Sequence, residues 1–118
     1  MIYPIEIIRE KINKEDLNKF LDKPFKEVIK FVVDIERRII ALGGELHSDA
    51  NELFIKDGSN QINLWGGNLY PLKSKREDQI EYSSLINLKP AQNHFSMDIQ
   101  NPEIIVKINQ IINKLISL

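Results

Sequence analysis

"PFKEVIKFVVDIERRIIALGG", Pro24 to Gly44, decides the fold, because it carries two periodicities at once. As one long helix it has Pro24 in the first turn, a stripe of Val28, Val32, Ile35, Ile39 and Leu42, and Gly43 at its end. As a hairpin it sets Ile29, Phe31, Val33 and Ile35 on one face against Lys30, Val32, Asp34 and Glu36 on the other. A turn near Glu36–Arg38 then returns through "IIALG". Seven Val or Ile residues between Val28 and Ile40 favour strands, since a branched Cβ loses rotamer freedom in a helix. The turn has no Gly, Asn or Asp, which leaves the helix as the alternative. The hairpin is the reading adopted.

Upstream, "IYPIEIIRE" alternates Tyr3, Ile5 and Ile7 with Pro4 and Glu6, a half-buried strand whose proline suggests a sheet edge. "NKEDLNKFLDKP" gives a short helix capped by Asn13, with Leu17, Phe20 and Leu21 as its stripe and Pro24 past its end. Downstream, "ELFIKDGSNQINLWGGNLYP" reads as a second hairpin turning at Asp57–Gly58, and a helix from Ser48 to Asp57 is the alternative. "LKSKREDQ", Leu72 to Gln79, is a charged loop. "IEYSSLINLKP" reads as a further strand with Ile80, Tyr82, Ile86 and Leu88 facing inward. The strongest helix signal closes the chain. Asn101 caps it, Pro102 takes its first position, and Ile104, Ile108, Ile111, Leu115 and Leu118 form a stripe widened by Ile105, Ile112 and Ile116. The expected fold is α+β: an antiparallel sheet of five or six strands, with a short N-terminal helix and a long C-terminal helix packed on it.

The 118 residues fit one domain, and 42% hydrophobic content is enough for one core. The absence of cysteine excludes disulfides, thiolate zinc sites and cysteine nucleophiles. Sixteen basic against seventeen acidic residues leave no basic surplus, so nucleic acid is an unlikely partner. No apolar run reaches the ~20 residues a membrane span needs. "MIYPIEIIREKI" is broken by Pro4, Glu6 and Arg9, unlike a secretory signal, so the expected location is the cytoplasm.

Chemistry has three candidate places. Glu45, His47 and Asp49 share one face if that stretch is extended, and they could offer oxygen and nitrogen ligands to a divalent metal. The bland reading is a solvated loop. Asp34 and Glu36 pair two carboxylates on a strand face, more often a salt-bridged surface than an acid–base pair. A turn centred on Arg37 pairs Asp34 with Ile40. His47 then lies ~23 Å farther along a straight chain. A joint site therefore needs a sharp fold-back at Gly43–Gly44. Finally, "LKPAQNHFSMD" places Lys89, Gln92, Asn93 and His94 after the last strand, and Trp65 beside Gly66–Gly67 could wall a pocket. No nucleophile-elbow serine and no phosphate-binding glycine loop occurs.

"VVDIERRIIALGGELHSDANELFIKDGSNQINLWGGNLYP", with "INLKPAQN" and the "NPEI" helix, resembles the small uncharacterised prokaryotic proteins of the DUF5674 family. The resemblance implies a single-domain fold and no particular reaction. It covers the E-x-H-x-D stretch at Glu45, His47 and Asp49 and the segment Leu64–Trp65–Gly66. That family more often has glycine where this chain has Arg38, as a turn would favour. Two functions follow as expectations. The first is a small binding or interaction domain, self-associating through an edge strand or the C-terminal helix, with no established cofactor and an unknown small-molecule ligand. The second is a metal-assisted hydrolase using Glu45, His47 and Asp49.

Overall fold

A computed structural model describes residues 3–22 and 24–118. The first two residues of the opening stretch, read above against a secretory signal, lie outside it. The deciding stretch is a hairpin: β2 (Ile29–Asp34) and β3 (Ile39–Gly43) pair antiparallel. Its register differs by one from the expected pairing, with Asp34 opposite Ile39 rather than Ile40. The cause is a shorter turn. Asp34 Oδ1 accepts the N–H of both Glu36 and Arg37 at 3.0 Å, and the Arg38 N–H reaches the Asp34 carbonyl at 2.8 Å. The carboxylate at the strand end thus supplies the turn chemistry that Glu36–Arg38 lacks. Arg38 occupies the left-handed region at φ 59°.

Five antiparallel strands make the sheet, in the order β1 (Ile5–Ile8), β3, β2, β4 (Leu64–Leu69), β5 (Ile80–Glu81). The strand that follows Pro4 is an edge, as its proline suggests. Alternating side chains feed two apolar clusters. Phe31, Val33, Ile40, Leu42 and Trp65 face α1 (Lys14–Asp22) and α3 (Pro102–Leu115). Val32, Ala41 and Leu64 face α2 (His47–Lys56). Asn101 Oδ1 caps α3 by accepting the Glu103 N–H at 2.9 Å. Ile108, Ile111, Ile112 and Leu115 are buried, each worth roughly 1.5–3 kcal/mol against exposure.

Two expected strands are corrected. Residues 47–56 form α2, so Asp57–Gly58 ends a helix and does not turn a hairpin. The Ser59 N–H bonds the Phe54 carbonyl at 2.9 Å and the Gly58 N–H bonds Ile55 at 3.1 Å, with Gly58 at φ 99°. This is the Schellman closure that glycine favours past a helix. Ala50 and Phe54, four apart, are the buried pair, while the β-branched Ile55 faces out at 43% exposure. Helical spacing of the buried residues prevailed over strand propensity. In the other case, the stretch beginning at Ile80 joins the sheet through Ile80 and Glu81, then makes isolated bridges at Ser83–Asp98 and Lys89–His94, and Leu85–Asn87 is a 3-10 turn with Leu85 and Leu88 exposed. The Asn87 side chain replaces a strand there. Its Oδ1 accepts the Gly66 N–H at 2.8 Å, and its Nδ2 donates to the Gly66 carbonyl at 2.9 Å.

Candidate functional site

Gly43 and Gly44 both have positive φ, 99° and 82°, so β3 ends in a reversal that lays α2 back over the sheet. His47 is the first residue of α2. Its Nε2 lies 2.7 Å from the Gly67 carbonyl oxygen on β4. A carbonyl only accepts, so Nε2 carries the proton and Nδ1 keeps its lone pair. Burial holds the imidazole below its ordinary 6.5, and nearby Lys30 adds to that, although the Gly67 bond, Asn68 and Glu81 oppose it. His47 is neutral at pH 7.

Two residues from distant parts of the sequence meet beside it. Lys30 on β2 and Asn68 on β4 are cross-strand partners on the face that α2 covers. Among the described residues Lys30 forms no ion pair. Asn68 Nδ2 donates to Glu81 Oε1 at 2.8 Å, which fixes its amide orientation and leaves Oδ1 buried without a hydrogen-bond partner among the described residues. These groups line a cavity of about 410 Å³, together with Ser48, Ser83, Ser84 and the apolar Leu46, Leu85, Ile86 and Met97. Leu46, Leu85 and Met97 are 57%, 68% and 44% exposed, so polar groups lie beneath an apolar rim. Leu46 also stands where a helix prefers a capping side chain and supplies none.

The expected E-x-H-x-D face does not form, because the chain is not extended there. Glu45 is exposed in the bend before α2, and Asp49 lies within the helix, where two residues advance ~200° around the axis. Among the described residues, no three His, Asp or Glu side chains gather to hold a metal ion. Asp34 is fully buried and serves the turn, while Glu36 is exposed in that turn, so the two carboxylates share no strand face. The Asp34 end of β2 lies four residues from Lys30, ~13 Å away, so the two clusters do not form one site. Trp65, Gln92, Asn93 and His94 do come together, in a second cavity of about 300 Å³. Sequence reasoning missed Lys30, Asn68, Ser83, Leu85 and Met97. The one local signal was Lys30, a charge on the strand face it shares with Val32.

Fold and cavity together define an antiparallel α+β domain with helices on both sheet faces and a polar-floored pocket under α2. The chain belongs to the DUF5674 family, described as proteins of unknown function, which it matches over residues 6–115. No curated protein and no solved structure matches it. None of the helices among the described residues is long and apolar enough to cross a membrane.

Proposed function

We propose that this protein is a ligand-binding domain whose cavity beside His47 takes a small amphipathic molecule. One observation carries the reading: Lys30, neutral His47 and Asn68 sit at the base of a cavity whose rim is Leu46, Leu85 and Met97. Lys30 favours an acidic or acceptor group, while the rim favours an apolar body. Its volume lies in the usual range for small-molecule sites.

Self-association through the C-terminal helix has less support, because the wide apolar arc of α3 is spent on the sheet and Val106 is its openly exposed apolar residue. The hydrolase alternative needs Glu45, His47 and Asp49 on one ion, and their placement on a bend and a helix gives it no geometric help. The test is a nuclear magnetic resonance titration with octanoate, a carboxylate on an alkyl chain. Perturbations confined to residues 46–48, 83–86 and the Lys30–Asn68 pair support the reading. Perturbations elsewhere, or none, contradict it.

A further inference from the structure

The second cavity lies on the opposite face of the sheet from His47, where α3 begins, and its chemistry is different. Trp65 lines it and is 1% exposed. Its Nε1–H, the only polar group on that side chain, is buried and has no hydrogen-bond partner among the described residues. Native interiors rarely leave a buried donor unpaired. The rest of the indole is occupied. The Lys89 ammonium sits 5.1 Å from the ring centroid, and the His94 ring stands edge-on at 5.2 Å.

The Lys89 ammonium donates to the Gln61 carbonyl at 3.0 Å and does not line the cavity, whose lining among the described residues holds no Lys, Arg, Asp or Glu. Both ring nitrogens of His94 are engaged, since Nδ1–H donates to the Asn87 carbonyl at 2.7 Å and Nε2 accepts the Gln100 N–H at 3.1 Å. Gln92 Nε2 donates to the Ile62 carbonyl at 3.1 Å, which leaves its Oε1 as an open acceptor among the described residues. Asn101 Oδ1 is spent on the Glu103 N–H at 2.9 Å, which leaves its Nδ2 as an open donor among the described residues. The N–H groups of Ile104 and Ile105 already bond the Asn101 carbonyl at 3.2 Å, so the first turn of α3 holds nothing out to an anion. Asn93, at φ 60°, adds a side-chain amide with no hydrogen bond among the described residues.

We propose that this cavity is a second binding site, for a small neutral molecule presenting a hydrogen-bond acceptor and donor side by side, as in an amide edge. The acceptor takes the Trp65 N–H. The donor is met by the side-chain oxygen of Asn93. The edge of a nucleobase and a simple carboxamide share this chemistry. The site is independent of the one beside His47.

The chain has one tryptophan, so its indole N–H gives a single resonance that reports on the cavity directly. The probes are uracil, acetamide and acetate. The site predicts a saturable shift of the indole resonance with uracil and acetamide and none with acetate. A response to uracil alone assigns a nucleobase, and one to acetamide alone assigns a carboxamide. Asn93→Gly, which suits the left-handed backbone, should weaken binding about tenfold. His47→Gln should leave the response unchanged. A resonance that neither neutral probe moves overturns the proposal. So does one that acetate moves instead, or equal affinity in Asn93→Gly.

Discussion

The ring Nε2 of His47 lies 2.7 Å from the main-chain oxygen of Gly67, joining the first residue of α2 to the middle of the sheet. That one bond fixes the tautomer, the placement of the helix start and the wall of the cavity together.

It also sets a pH dependence. The folded pKa of His47 is lowered from 6.5, chiefly by burial. Below about pH 6.5 the unfolded chain therefore takes up a proton that the folded one resists. This contribution to stability is complete above that pH and is lost as pH falls toward the folded pKa. Melting temperature should drop between about pH 7.5 and about pH 5.5. His47→Gln, which keeps an N–H for Gly67 but does not titrate, should show a shallower slope. Parallel slopes in the two proteins would count against a buried neutral imidazole.

The turn between β2 and β3 depends on Asp34. Asp34→Ala leaves two main-chain N–H groups without their acceptor and should cost about 2–3 kcal/mol in a denaturant titration. Asp34→Asn keeps an oxygen in that place and should cost less than half as much. Equal losses would show that the turn does not rest on Oδ1.

Arg38 is strained where glycine is at ease. Its φ of 59° should make Arg38→Gly stabilising by roughly 0.5–1 kcal/mol, the relief of left-handed strain minus the entropy glycine brings to the unfolded chain. A lower melting temperature in the variant would mean that the Arg38 side chain contributes more than its backbone costs.

Gly67 has no room for a side chain. A Cβ there would meet the Glu81 main-chain oxygen at 2.4 Å and the Phe31 ring at 2.5 Å. Gly67→Ala should therefore cost about 3 kcal/mol and displace β5. A variant as stable as wild type would contradict this close packing.

Much of the architecture was legible because it rests on local signals. The β-branched run from Val28 to Ile40 gave the hairpin, Pro4 the edge, and Asn101–Pro102 the start of α3. Asp57–Gly58 misled because one glycine conformation both turns hairpins and closes helices. The alternation of Glu45, His47 and Asp49 misled because helix packing through Ala50 and Phe54 outweighs it. His47, a candidate from the sequence, lines the cavity, and no local sequence signal ties the polar residues beside it to that place. Lys30 and Asn68 meet only through the pairing of β2 with β4, and no local pattern encodes that register.

Metal addition offers a further check on the corrected Glu45, His47 and Asp49 face. A site filled at one hundred times its dissociation constant adds ~2.7 kcal/mol to stability. Melts with divalent ions or EDTA should show no shift of that size. A shift abolished by His47→Ala would restore the metal reading.

The most direct measurement is octanoate affinity by calorimetry, comparing wild type with Ser48→Phe. Ser48 is an exposed residue of α2 that borders the cavity, so a ring there obstructs the pocket and leaves the core intact. Binding beside His47 predicts saturable one-to-one association by wild type, weakened at least about tenfold in the variant at unchanged melting temperature. Equal affinity in the two proteins, or no binding by wild type, would contradict it.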